Sequence, residues 1–106
     1  MELRKIQASE TIDTLIINGN LDADGSRFAQ PHIDQIIAED SGRDVEIDFS
    51  HVQFLDSSGV GAIVYLYKRL IERHRNMRIE NASGQPLEII NLLRISQAIP
   101  VNSQTH

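Results

Sequence analysis

Two apolar segments near the amino terminus predict the first strands of the protein. Residues 3–8 and 11–18 both have the pattern of extended chain, and the second carries a β-branched run that ends at Gly19-Asn20 with turn chemistry. Only Ser9 and Glu10 separate the two segments. The pattern therefore predicts a β-hairpin.

Further strands are expected later in the chain. Val45–Phe49 alternates apolar and polar side chains with a period of two and is followed by a second short apolar stretch, Val52–Leu55. Met77–Glu80 is a shorter strand candidate. Ile99–Val101 is expected to add an edge strand, where Pro100 is tolerated because one side of an edge strand has no partner.

The first helix is predicted between Asp24 and Asp40, because apolar residues recur there at helical spacing. The expected buried stripe is Phe28, Ala29, Ile33, Ile36 and Ile37. Pro31 would remove a backbone donor inside this helix, so either the regular part begins near Gln30 or an irregular first turn precedes it. Ser41-Gly42 supplies the stop signal.

Two more helices are predicted from the same periodicity. One begins near Ser57, and its expected inner face carries Val60, Ile63, Val64, Tyr67, Leu70 and Ile71. The other has Pro86 in its first turn, and its expected inner residues are Leu87, Ile89, Ile90 and Leu93.

The order β-β-α-β-α-β-α-β predicts an α/β fold with a partly parallel, mixed sheet of about four to five strands. A chain of 106 residues fits one domain, 1–106, with a loose tail at 102–106. The content of 41% hydrophobic and 24% charged residues is typical of a globular protein.

The charge balance argues against a nucleic-acid partner. Ten lysine and arginine residues oppose 15 aspartate and glutamate residues, so the net charge of −5 repels a phosphate backbone. The most basic stretch, Lys68–Arg78, is interpreted as a solvated helix end.

Absence of cysteine excludes disulfides, and no apolar run reaches the ~18 residues needed to span a bilayer. The amino terminus does not resemble a signal segment, so the expected location is the cytoplasm, without membrane insertion.

Enzyme motifs are missing from the chain. The four histidines, His32, His51, His74 and His106, lie far apart, so no metal site is expected. The sequence has no Gly-x-Ser-x-Gly elbow, P-loop or dinucleotide fingerprint. We therefore predict no catalytic residues and no cofactor, and an enzyme or nucleotide-binding domain is the function with least support in the sequence.

The segment Asp56-Ser57-Ser58-Gly59 is the main candidate for function. Asp and Ser are preferred helix N-caps, so the segment can be explained as a helix start alone. Only one residue can be the cap, however, and Gly59 and Gly61 lower the helix propensity, which suggests close approach to the backbone. A serine at a helix N-terminus also suits phosphorylation, because unpaired backbone donors and the helix dipole favour an anion. Ser57 and Ser58 are both candidates on this basis.

Three segments resemble the STAS domain family, whose single-domain members are bacterial anti-sigma-factor antagonists. They are "INGNLDA" from Ile17, "VEIDFSHVQFLDSSGVGAI" from Val45, and the following helix through Leu70. Gly19-x-Leu21-Asp22 is similar to the Gly-Glu-Leu-Asp turn of the family, with Asn20 in place of the usual Glu. The resemblance implies a mixed sheet with helices packed on it.

The resemblance also implies a binding switch. In this family the acceptor of phosphate is the residue directly after the aspartate, which maps to Ser57, while Ser58 takes the companion position. The implied partners are a kinase-type anti-sigma factor and a PP2C-type phosphatase. The implied contact residues are Asp22, Asp56, Ser57, Ser58 and Gly59. The alternative is a constitutive STAS subunit of a transporter or another complex, in which the serine is only part of a helix start.

Overall fold

The amino-terminal hairpin forms the first half of a four-stranded sheet in the computed structural model, which describes residues 1–103. β1 (Glu2–Gln7) pairs antiparallel with β2 (Ile12–Asn18). β3 (Asp44–His51) and β4 (Met77–Glu80) follow in parallel, giving the order β1-β2-β3-β4. This confirms the predicted α/β fold with a mixed sheet.

Three α-helices connect and follow the strands: α1 (Ala23–Ala38), α2 (Ser57–Glu72) and α3 (Gly84–Leu92), with a short 3-10 helix at Ile95–Gln97. Along β3 the side chains of Val45, Ile47 and Phe49 are buried, whereas Glu46 and Asp48 remain partly exposed. The helices therefore cover one face of the sheet. Their buried residues join those of the sheet in one hydrophobic cluster.

α1 differs from the sequence prediction at its proline. The helix runs without interruption from Ala23 through Pro31, so neither a start near Gln30 nor an irregular first turn is correct. Pro31 and Arg27 are both exposed, and the carbonyl that loses its helical hydrogen bond to Pro31 is that of Arg27. Pro31 therefore lies on the exposed side of the helix, and the packing of Ala29, Ile33 and Ile36 on the opposite side outweighs the one missing hydrogen bond.

Three residues predicted to face inward are exposed instead. Phe28 is 49% exposed, Ile71 is 42% exposed and Leu93 is 51% exposed. On α2 both Leu66, which the predicted stripe omits, and the predicted Leu70 are fully buried, so the apolar stripe is rotated relative to the prediction. Leu93 lies at the C-cap of α3, beyond its last helical residue, where the helical spacing no longer controls its direction.

The carboxy-terminal segment contributes less strand than predicted. In place of an edge strand at Ile99–Val101, Val101 makes one isolated parallel bridge to Ile79. Asn102 is fixed by its side-chain amide, which donates to the Ala82 carbonyl and accepts from the Ala82 N–H, both at 2.9 Å. The remainder of the predicted loose tail, 104–106, lies outside the described residues.

The basic stretch is not simply a solvated helix end, because Arg75 is only 2% exposed. Its guanidinium donates to the carbonyls of Arg43 (2.6 Å) and Ile36 (2.9 Å). It also lies 3.9 Å from the buried carboxylate of Asp13, which accepts a 2.8 Å hydrogen bond from Arg43. These contacts tie the C-terminal end of α1 to the sheet. Across residues 1–103, none of the helices is long and apolar enough to cross a membrane.

Candidate functional site

The predicted site residues lie where β2 and β3 end and the next helices begin. Leu21 and Leu55 form an isolated parallel bridge beyond the two strands. The N–H of Leu21 donates to the Phe54 carbonyl at 2.9 Å, and the N–H of Asp56 donates to the Leu21 carbonyl at 3.2 Å. Asp22 and Asp56 therefore take equivalent positions, each directly after one member of the bridge and directly before a helix.

Each of these aspartates is the N-cap of its helix. The Oδ1 of Asp22 accepts from the Gly25 N–H at 2.8 Å. The Oδ1 of Asp56 accepts from the N–H groups of Ser58 at 2.9 Å and Gly59 at 3.1 Å. An N-cap side chain satisfies the orphan donors of the first turn. The sequence did not decide between Asp56 and the serines as the cap of α2, and in the structure the carboxylate of Asp56 is the cap.

Both serine hydroxyls are consequently free of any capping role. Ser57 is the first residue of α2, and both Ser57 and Ser58 are exposed. Among residues 1–103, neither hydroxyl has a protein hydrogen-bond partner. Ser58 borders a groove between α1 and α2 that is also lined by Arg27, Gln30 and Tyr65. The turn thus presents two unpaired hydroxyls to solvent at a helix N-terminus.

The two glycines that follow have different surroundings. Gly59 is buried, and a Cβ built there would lie 2.2 Å from the Leu21 carbonyl oxygen and 2.6 Å from a methyl group of Leu55. A Cβ at Gly61 would meet no atom within 4 Å. The close backbone approach predicted from the sequence therefore occurs at Gly59, within the protein's own packing, and leaves Gly61 on an open surface.

Gln85 contacts the site although sequence reasoning did not single it out. Its side-chain Nε2 donates to the Leu55 carbonyl at 2.8 Å, and its Oε1 accepts from the Leu55 N–H at 2.8 Å. A glutamine in the first turn of a helix is common on protein surfaces, and the partner lies 30 residues away in the sequence. No local pattern could have identified this pair.

Asp48, on β3, has a perturbed carboxyl group close to the end of the strand. Burial by itself would raise its pKa, but hydrogen bonds from the Ser50 N–H (2.9 Å) and the Asn81 amide (3.1 Å) favour the ionised form. With smaller contributions from the Ser50 hydroxyl and the charge of His51, they bring the pKa below its ordinary value of 3.8. Residues 1–103 include no group of three or more His, Asp or Glu side chains placed to hold a metal ion.

Comparison with known proteins supports the same fold. The family model for the STAS domain matches residues 4–106. A putative anti-sigma factor antagonist from Thermotoga maritima superposes with a TM-score of 0.83 at 14% identity, covering 93% of this chain and 84% of that chain. The phosphorylated form of the Bacillus cell fate determinant SpoIIAA gives a TM-score of 0.72 at 16% identity, covering 94% and 90%.

A third similar structure comes from a different functional class. A sulfate transporter family protein from Wolinella succinogenes gives a TM-score of 0.72 at 14% identity, covering 86% of this chain and 76% of that chain. At such identities these likenesses show the fold alone. A comparison with curated proteins finds no match.

Proposed function

The chain belongs to the STAS domain family, and we propose that it is a partner-switching regulator controlled by reversible phosphorylation of Ser57. The observation that carries this proposal is the free Ser57 hydroxyl. Asp56 already caps α2, so the exposed serine beside it is available as a phosphate acceptor. The likeness to a putative anti-sigma factor antagonist and to a phosphorylated cell fate determinant supports the same role.

The local electrostatics make a phosphate on Ser57 an effective switch. The N-terminus of α2 favours an anion, because its backbone donors and the helix dipole carry partial positive charge. A phosphoserine nevertheless brings about −1.5 to −2 charges next to the carboxylate of Asp56. A partner that fits the unmodified turn then meets a larger and more negative surface, and its affinity falls.

The proposed partners are those that the family resemblance implies. A kinase-type anti-sigma factor binds the unmodified turn through Asp22, Asp56 and the two serines, and transfers phosphate to Ser57. A PP2C-type phosphatase removes it. The domain itself supplies the acceptor hydroxyl and no catalytic group, and we place the exchange in the cytoplasm.

Mass spectrometry of the protein isolated from its own cells tests the proposal. We expect an intact mass with one added phosphate in some growth states, and loss of that species in Ser57→Ala. Ser58→Ala is the matched control, because Ser58 is exposed and non-capping in the same turn. A protein that never carries phosphate, or that loses it only in Ser58→Ala, contradicts the assignment to Ser57.

A second candidate is a constitutive subunit of a transporter, which the likeness to the sulfate transporter family protein favours. In that case Ser57 is only the first residue of a well-capped helix. Co-purification separates the two functions. A kinase-fold partner that ATP releases supports the switch, whereas a stable transporter complex indifferent to ATP supports the subunit.

A further inference from the structure

A side-chain amide takes the place of a neighbouring strand beside residues 54–57, which we call the acceptor turn because they carry Ser57. In the parallel bridge, the backbone of Leu21 pairs with Phe54 and Asp56 on one side of the segment 54–56. On the other side the N–H and carbonyl of Leu55 are both engaged by Gln85, at 2.8 Å each. A glutamine amide offers one acceptor and a donor on the same planar group, as a peptide unit does.

The place where β4 ends explains why a side chain, and not a strand, pairs with the backbone of Leu55. β4, the neighbour of β3 in the sheet, ends at Glu80, and the chain then turns through Asn81, which has a positive φ of 62°. The main chain of β4 therefore stops short of Leu55. Leu55 is only 2% exposed, so without Gln85 its two backbone groups would be buried with no partner, which is costly.

Gln85 is itself held in place from the carboxy-terminal side. The bidentate hydrogen bonds between Asn102 and Ala82 fix the backbone just before α3 begins. The N–H of Asn102 also donates to the Ile79 carbonyl at 2.8 Å. The amide of Gln85 therefore extends from an anchored helix start, which is the condition for positioning another segment.

The acceptor serine has no comparable anchor. The Ser57 hydroxyl has no hydrogen-bond partner among residues 1–103, so its location follows from the backbone of Leu55 and Asp56. Phosphoryl transfer requires the attacking hydroxyl to be in line with the leaving group, and small displacements are costly. The geometry of segment 54–56 thus controls how Ser57 is presented.

We propose that Gln85 is a positioning residue of the acceptor turn, which holds Leu55 so that Ser57 is presented to the partner that phosphorylates it. The part that concerns phosphorylation rests on the proposed function. The part that concerns the turn does not, and the two are tested separately.

Amide hydrogen exchange measured by NMR tests the turn. Gln85→Met keeps the length of the side chain but cannot make the two hydrogen bonds, and we expect at least tenfold faster exchange at Gly59 and Val60. The amide of Ile47, at the centre of β3, serves as the reference for lost global stability and is expected to accelerate much less than Gly59 and Val60. Gln97→Met, at an exposed glutamine, is the matched control and should change neither. Unchanged exchange at Gly59 and Val60, or equal acceleration at Ile47, overturns the positioning role.

Phosphate occupancy in the protein's own cells tests presentation of Ser57. We expect Gln85→Met to carry at least threefold less phosphate on Ser57 than Gln97→Met does. Equal occupancy in the two variants overturns this part of the proposal. If the unaltered protein never carries phosphate, the proposed function fails, while the exchange measurement still decides whether Gln85 positions the turn.

Discussion

The two ends of the sheet both use charged side chains to complete helix ends, but in opposite surroundings. At the carboxyl ends of β2 and β3, Asp22 and Asp56 cap the N-termini of α1 and α2 and remain partly exposed. At the other end, Arg75 donates to backbone carbonyls at the C-terminus of α1 and is buried beside Asp13. Charge complements the helix dipole in both places.

The difference separates a structural cluster from a candidate site. The buried Arg75 and Asp13 are enclosed by the protein's own groups, so no partner can reach them. The exposed caps satisfy the backbone and leave the adjacent hydroxyls of Ser57 and Ser58 free in solvent. Substitutions at the buried end should therefore affect stability most, and those at the exposed end should affect binding and modification.

The largest loss of stability is expected for Arg75→Met. The change leaves the carboxylate of Asp13 buried with one fewer cation and removes the donors to the α1 carbonyls. Breaking a buried pair costs about 3–5 kcal/mol, which urea denaturation measures. Arg69→Met is the control, because its pair with Glu72 is exposed and worth under about 1 kcal/mol. A loss at Arg75 no larger than at Arg69 would contradict the structural role of this end.

Alanine substitutions at the two glycines of α2 should change the free energy of unfolding in opposite directions. Gly59→Ala forces a Cβ against the Leu21 carbonyl and should lower the free energy of unfolding by about 1–3 kcal/mol. Gly61→Ala meets open space and should raise it by up to about 1 kcal/mol, because alanine has the higher helix propensity. Thermal or urea unfolding of the two variants decides. A Gly59→Ala variant that is as stable as the unaltered protein, or more stable, would show that Gly59 is not packed as described.

A smaller difference in stability is expected between a variant of the cap, Asp56, and variants of the two serines. Asp56→Ala removes the acceptor for two backbone donors and should cost about 1 kcal/mol of stability. Ser57→Ala and Ser58→Ala should stay within about 0.5 kcal/mol, because neither hydroxyl has a hydrogen bond to lose. Urea titrations of the three variants measure this. A loss for Ser57→Ala equal to that for Asp56→Ala would make the serine part of the cap.

The smallest effect concerns Asp48, which lies between the two ends on β3. Its pKa in the folded protein is lowered, so its contribution to stability is present above about pH 4 and is lost as the pH falls through the folded value. Urea midpoints of the protein and of Asp48→Asn, compared from pH 6 to pH 2.5, measure this. The advantage of the unaltered protein should shrink at the acid end. A difference that stays constant with pH would contradict it.

The fold was largely predictable because its signals are local. The alternation at Val45–Phe49 identifies β3, and the periodicity after Ser57 identifies α2. Predictions of which helical side chains are buried were less accurate, as Phe28 and Leu93 show. An apolar stripe defines the buried face of a helix only approximately, and it does not predict the orientation of a side chain beyond the end of the helix. The prediction for Pro31 is wrong because the packing of the buried residues of α1 outweighs the loss of one backbone hydrogen bond.

The sequence by itself determined the order of strands and helices, the helix start at Asp56-Ser57-Ser58, and the resemblance that leads to the proposed function. Only the tertiary structure decided that Asp56 is the cap, that Gly59 packs on Leu21, and that Gln85 holds Leu55. It also decided that Arg75 is buried, whereas the charge pattern predicts a solvated side chain. The physical reason is distance along the chain, since Gln85 and Leu55 are 30 residues apart and Arg75 and Ile36 are 39 apart. Periodicity and capping act within a few residues, whereas these contacts exist only after the sheet and helices have assembled.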